Sequence, residues 1–176
     1  MKPRAFLRLQ LAVFLGVAFA GLPGLARGQG ETVSEPGLFS YQAPQGWSVK
    51  TTPISKFKIS FDAPKNGFSA NINVVAEVSP GSLAKYVDAN EAILKATPMF
   101  QNLEVLDQKT FTTAARVAGV RVRVRDSVGN AHLLQTFYFF PGAAETKFVV
   151  TASCLAADGD AYAPIFNASM KTFSLP

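Results

Sequence analysis

Few residues of this sequence could perform chemistry, because it contains one histidine, His132, and one cysteine, Cys154. A structural zinc site needs about four His or Cys ligands and a catalytic site about three protein ligands, which excludes a His/Cys zinc site. A Ser-His-Asp or Cys-His arrangement would have to use His132, but no nucleophile-elbow motif lies near it. The sequence after residue 28 also lacks GxGxxG, P-loop and HExxH motifs. We therefore expect no enzyme and no cofactor, and we interpret His132 as a packed or surface residue near the start of a strand.

Cys154 lies at alternate positions with Phe148 and Val150, so it shares one side of a predicted strand with large apolar groups. This pattern favours a buried, inert thiol, and the alternative is an unpaired thiol that forms an intermolecular disulfide. Asp158-Gly159-Asp160 is similar to the start of a calcium loop, but the remaining ligands and the closing Glu are missing. We interpret these acidic residues as a helix cap, with no metal site.

The most distinctive local feature is the alternation of valine and arginine over residues 120–125. In a strand this places Arg121, Arg123 and Arg125 on one face, spaced ~7 Å apart. Such a stripe can be a solvated sheet face or an edge strand protected from aggregation by its charges. It can also bind an anion such as a lipid phosphate, an acidic glycan or an acidic protein patch. We take these three arginines as the candidate binding residues.

Period-two alternation and turn residues predict strands before and after a helix. Asn66-Gly67 predicts a hairpin turn inside the first group of strands. The last two strands are apolar on both faces, which is typical of central strands. The predicted strands cover residues 38–44, 47–52, 57–64, 68–78, 102–113, 116–127, 131–140 and 146–156.

Two segments have helical periodicity instead. The first runs over 82–96, after the start signal Ser79-Pro80-Gly81-Ser82 and before Thr97-Pro98. The second follows an acidic cap at Asp158 or Asp160, with Pro164 in its first turn. The order of elements predicts an α+β domain in which an antiparallel sheet packs against two helices.

Residues 1–28 have the order of a secretory signal peptide: a basic start, an apolar run over 11–20 and then small residues. The apolar run is too short to span a bilayer. Cleavage is compatible with the peptide bond after residue 20, 26 or 28, and we favour the later two. We therefore expect a periplasmic or secreted protein with no integral membrane segment, a flexible lead-in over 29–37 and one domain over 38–176.

The formal net charge of +5 is mostly a property of this leader. Removal of residues 1–28 takes away four of the 17 basic residues and leaves 13 against 12 acidic ones. The mature domain is therefore almost neutral, which gives no support for nucleic-acid binding.

Several ordered segments together resemble the PsbP-like superfamily, which includes photosystem II extrinsic subunits and DcrB-type bacterial envelope proteins. The resemblance covers about residues 38–175. The segments are Phe39-Ser40-Tyr41-x-x-Pro44-x-Gly46-Trp47, Ala70-Asn71-Ile72-Asn73-Val74, Ser82-Leu83-x-x-Tyr86, Gln135-Thr136-Phe137-Tyr138-Phe139, Val149-Val150-Thr151-Ala152-Ser153-Cys154, Tyr162-x-x-x-Phe166 and Lys171-Thr172-Phe173.

The resemblance implies an α/β/α sandwich with a central antiparallel sheet, and a domain that binds or stabilises other proteins without catalysis. The absence of a Cys after the leader and of a Ser-rich transit peptide favours the bacterial envelope members. Trp47 is expected to anchor the first hairpin in the core.

We therefore expect an accessory domain that contacts a protein or an anionic envelope component, with an unknown oligomeric state. One alternative is a periplasmic carrier of an apolar ligand, suggested by the many Phe residues between 137 and 173. The other is a hydrolase-type enzyme that uses His132, which the scarcity of catalytic residues disfavours.

Overall fold

A computed structural model describes residues 30–53 and 55–176. The predicted signal peptide, residues 1–28, lies outside the described residues. The strands in the described part of the chain are β1 (Thr32–Glu35), β2 (Phe39–Gln42), β3 (Ser48–Lys50), β4 (Ile59–Phe61), β5 (Asn71–Val78), β6 (Gln101–Thr112), β7 (Ala118–Val128), β8 (Ala131–Pro141) and β9 (Thr146–Leu155). The helices are α1 (Leu83–Ala96) and α2 (Gly159–Lys171), the latter preceded by a 3₁₀ turn over Ala156–Asp158.

Seven strands form one antiparallel sheet in the order β3-β4-β5-β9-β8-β7-β6. The prediction that the last two strands are central is confirmed, because β9 lies between β5 and β8 and its side chains are buried on both faces. The predicted turn between β4 and β5 is also confirmed. Asn66 and Gly67 have positive φ values of 52° and 78°, and Lys65 and Phe68 exchange two backbone hydrogen bonds.

Each face of the sheet carries one helix and its own hydrophobic cluster, so the predicted α+β sandwich is confirmed. Tyr86, Val87 and Leu94 of α1 pack on the face that includes Phe137 and Phe139 of β8. On the opposite face α2 packs together with β2 over side chains of β8 and β9. Trp47 lies in this second cluster, with its ring 6.3 Å from Tyr162 and 6.2 Å from Phe166. Its predicted role as a core anchor is confirmed.

The region predicted as a flexible lead-in, residues 29–37, differs from that prediction over residues 32–35. These residues form β1, which pairs antiparallel with β2 in a separate two-stranded sheet. Val33 is 1% exposed and belongs to the α2-side cluster. The segment orders because the single apolar residue of a polar stretch is buried and its backbone bonds are made by β2.

The start of α2 differs from the predicted cap in two respects. Asp158 occupies the N-cap position, but its side chain accepts a hydrogen bond from Lys65 Nζ at 2.6 Å and caps no helix N–H. Because the helix begins at Gly159, Pro164 lies in its second turn and not in its first. The ring therefore removes one helical hydrogen bond near the exposed side of α2.

Candidate binding surface

The arginines of β7 lie on the α2 side of the sheet, while Val122 and Val124 pack into the α1-side cluster. The predicted separation of arginines and valines onto two faces is therefore correct. We call the α2-side surface of β6, β7 and β8 around these arginines the arginine face. Cross-strand register assigns to it Glu104, Asp107, Lys109, Arg121, Arg123, Arg125, Ser127, His132, Leu134 and Thr136.

Two carboxylates of β6 pair with the arginines, which sequence reasoning missed. Asp107 accepts hydrogen bonds from Arg121 Nη2 at 3.1 Å and from Arg123 Nε at 2.7 Å. Partial burial alone would raise the pKa of Asp107, but the hydrogen bonds and charges of Arg123 and Arg121 lower it below its ordinary value. Arg125 Nη1 donates to Glu104 at 3.0 Å.

Exposure increases along the three arginines, from 17% of the side chain at Arg121 to 34% at Arg123 and 55% at Arg125. Arg121 is thus fixed in the sheet, and its Nε is buried with no hydrogen-bond acceptor in the part of the chain that the structure describes. The Arg125–Glu104 pair is exposed on both sides, and such pairs contribute about 0–1 kcal/mol. The exposed end of the stripe, around Arg125, can therefore exchange its partner at little cost.

His132 lies on the arginine face opposite Ser127, which follows Arg125 as the next residue of β7 on that face. The exposed ring places Nδ1 at 2.9 Å from Oγ of its cross-strand partner Ser127. Among the described residues no carboxylate forms an ion pair with His132. The contact is a cross-strand hydrogen bond, without the third group that orients the base of a catalytic triad.

The arginine face concentrates the positive charge of the described chain. Lys171 of α2 lies at one end of the face, with its Nζ 4.7 Å from the ring centre of Phe111. Together with Lys171, the arginine face carries five of the 13 cations of the described residues. It carries two of the 12 carboxylates, so the other described residues hold eight cations and ten carboxylates. An almost neutral domain therefore has one basic side.

Cys154 is fully buried, and its Sγ lies 3.7 Å from the carbonyl oxygen of Leu134. Burial raises the pKa of the thiol to about 12, with a smaller contribution from the charge of Asp158. The predicted burial of the thiol is confirmed, and this burial argues against an intermolecular disulfide. In residues 30–53 and 55–176 no three His, Cys, Asp or Glu side chains come together as metal ligands would.

The other face holds a buried carboxyl group that the sequence reasoning missed. Asp126 is 2% exposed, and its Oδ2 accepts a hydrogen bond from Gln135 Nε2 at 2.6 Å. Burial raises its pKa to about 6, and the hydrogen bond from Gln135 acts in the opposite direction. Continuing the alternation by one step past Val124 would have placed Asp126 on the inward face.

None of the helices in the described part of the chain is long and apolar enough to cross a membrane. A comparison of the sequence with protein-family models and with curated proteins found no match.

Solved structures, however, share the fold of this chain, and because one of them is a PsbP protein we describe it as a PsbP-like fold. Cyanobacterial PsbP (CyanoP) from Synechocystis sp. PCC 6803 superimposes with a TM-score of 0.60 at 12% identity, over 89% of this chain and 98% of CyanoP. LpqN of Mycobacterium tuberculosis, involved in cell envelope biogenesis, gives 0.60 at 15% identity, over 83% and 90%.

A third structure is PA94 of Pseudomonas aeruginosa, a protein of unknown function, with a TM-score of 0.57 at 14% identity. It covers 85% of this chain and 98% of its own. The predicted resemblance is therefore confirmed at the level of the fold. At these identities the similarity carries no residue roles from one chain to another.

Proposed function

We propose that this chain is a non-enzymatic accessory domain that works outside the cytoplasm and binds a protein partner through the arginine face. The observation that carries the proposal is the concentration of cations on one exposed face of an almost neutral domain. Charged patches of this kind steer association and select partners by complementary charge.

The distribution of the carboxylates favours a protein partner over a phosphate-bearing lipid or glycan. Asp107 and Glu104 lie beside the arginines on the neighbouring strand and would repel a dense array of phosphates. A protein surface can place its own cations opposite these carboxylates and its carboxylates opposite Arg123 and Arg125. An anionic envelope component is thus the alternative ligand, and the experiment below distinguishes the two.

Two observations support a location outside the cytoplasm. Residues 1–28 have the pattern of a signal peptide. LpqN, which shares the fold, is involved in cell envelope biogenesis. Amino-terminal sequencing of the protein from the envelope fraction tests this part, since it should begin at residue 21, 27 or 29. An amino terminus at Met1 in a cytoplasmic fraction would contradict it.

The binding surface is tested by a photo-cross-linking amino acid at Lys109, an exposed residue of the arginine face, in the full chain in its own host. The control places it at Lys85, an exposed residue of α1 on the opposite face. We expect one discrete protein adduct from position 109 and none of the same mass from position 85.

The adduct should disappear in the variant Arg123→Gln/Arg125→Gln and persist in the charge-matched control Lys58→Gln/Lys85→Gln. It should also weaken as salt is added, because exposed charges are screened. A lipid or glycan adduct at position 109 would contradict a protein partner. Equal adducts in the two double variants would contradict the arginine face as the contact surface.

A further inference from the structure

A row of buried polar side chains crosses the sheet on the α1 side, where a hydrophobic core is expected. Asn71 of β5 lies opposite Ser153 of β9, and Ser153 lies opposite Gln135 of β8. Asp126 of β7 ends the row through its hydrogen bond from Gln135. All four side chains are buried, with exposures between 1% and 7%. Buried polar groups of this kind are costly unless every one of them is hydrogen-bonded.

The row is incomplete at Asp126. Its Oδ1 is buried and has no hydrogen-bond partner within residues 30–53 and 55–176, although Oδ2 accepts a hydrogen bond from Gln135. The neighbouring side chains of β7 on the same face are Val124 and Val128, both buried in the cluster that contains the α1 residues. An ionised carboxylate at this position would leave one charged oxygen unsolvated, whereas a protonated carboxyl would not carry that cost.

Among the described residues, no cation on this side of the sheet pairs with Asp126. Glu77 of β5 accepts a hydrogen bond from Tyr86, and Lys147 of β9 donates to the carbonyl oxygens of Ser79 and Glu145. On α1, Glu91 pairs with Lys95 at 3.8 Å. The other α1 charges, Lys85 and Asp88, are exposed, and β8 contributes no charged residue. Asp126 is therefore a carboxyl group whose charge is not compensated by its surroundings.

We propose that Asp126 is a proton-sensitive element: its protonated form keeps α1 packed on the sheet, and its ionisation loosens α1. Water must reach Oδ1 to solvate the anion, and the sheet itself closes the opposite side. The route for water is therefore the α1 side, and it opens when α1 and the residues at its ends separate from β7 and β8.

The direction of the pH effect follows from linkage. Burial raises the pKa of Asp126 to about 6, so the folded state keeps its proton where the unfolded chain, with a pKa of 3.8, has lost it. The stabilisation from this proton is complete below the pKa of the unfolded chain and is lost as the pH rises through about 6. Between pH 4 and pH 7.5 the unfolding constant should rise about fiftyfold from this group alone.

The experiment compares the purified wild-type protein with Asp126→Asn, which keeps the shape and cannot ionise. Asp88→Asn is the control, because Asp88 is an exposed carboxylate of α1. The wild-type unfolding constant, divided by that of Asp126→Asn, should rise about fiftyfold between pH 4 and pH 7.5. The wild-type unfolding constant divided by that of Asp88→Asn should change by less than about threefold over the same pH range. A ratio for Asp126→Asn that does not change with pH would overturn the proposal.

Amide hydrogen exchange tests where the loosening occurs. For each amide, the exchange rate of the wild type is divided by that of Asp126→Asn at the same pH. This ratio should increase with pH more in Leu83–Ala96 than in β5 and β9. An equal increase in all elements would overturn the assignment to α1. If Asp126→Asn does not fold, the carboxyl resonance of Asp126 in the wild-type protein replaces it. A midpoint near 6 supports the proposal, and a midpoint at or below 4 overturns it.

Discussion

Asp107 of β6 stands directly opposite Arg123 of β7 and accepts its Nε–H at 2.7 Å, while its other oxygen accepts from Arg121 at 3.1 Å. One carboxylate thus holds two arginines that would otherwise repel each other. This contact fixes Arg121 and Arg123 relative to each other.

Asp107→Asn should lower the free energy of unfolding by about 2 kcal/mol at pH 7, because it weakens two charge-assisted hydrogen bonds of partly buried groups. Urea denaturation measures the loss. Glu104→Gln, in an exposed ion pair, should change the stability by less than about 0.5 kcal/mol. Similar losses for the two variants would contradict the difference in burial.

The Asp107 effect should also depend on pH. Because the arginines lower its pKa, the folded state keeps the carboxylate ionised where the unfolded chain begins to bind a proton. The stabilisation is therefore present above about pH 4 and is lost as the pH falls below that value. The stability difference between the wild type and Asp107→Asn should shrink in acid. A difference that grows below pH 4 would contradict this sign.

Cys154 should not react with thiol reagents while the protein is folded. The thiol is fully buried and its pKa is raised to about 12, so both access and the thiolate fraction are low. Labelling by a maleimide or an aromatic disulfide should follow unfolding in urea. Electrophoresis without reductant should show no disulfide-linked dimer. Stoichiometric labelling of the native protein would contradict the burial.

Phe173 should be among the most costly side chains to remove. It is fully buried and stacks on Phe140, with 4.4 Å between the ring centres. Phe173→Ala should lower the free energy of unfolding by about 4 kcal/mol, through lost burial and the cavity left behind. Ile165→Ala, on the exposed side of α2, should cost less than about 1 kcal/mol. Thermal denaturation of the two variants provides the comparison.

The ordered β1 is tested by Val33→Ala. Val33 is buried against the α2-side cluster, and loss of its branched side chain should cost about 2 kcal/mol. Thr32→Ala, at an exposed neighbouring position, serves as the control. Equal stability of the two variants would contradict an ordered β1 and would support the flexible lead-in that the sequence predicts.

The structural features that could be predicted from the sequence are those that depend on local periodicity and turn residues. Alternation over residues 120–125 correctly separated the arginines from the valines, and Asn66-Gly67 identified a hairpin turn. Asp107 could not be assigned to the arginines, because the register between β6 and β7 includes two irregularities and is set by tertiary packing. A local signal for β1 was available: Pro36-Gly37 is a turn signal, and Gly37 has a φ of 75°.

The sheet order also has a consequence for how the chain folds. β5, over residues 71–78, finds its central neighbour in β9, over residues 146–155, so the middle of the sheet is completed by a strand from late in the sequence. Such non-local pairing slows folding, and during synthesis the edge of β5 that faces away from β4 stays unpaired until β9 has been made. Truncation before residue 146 should therefore leave an aggregation-prone product and no smaller folded domain.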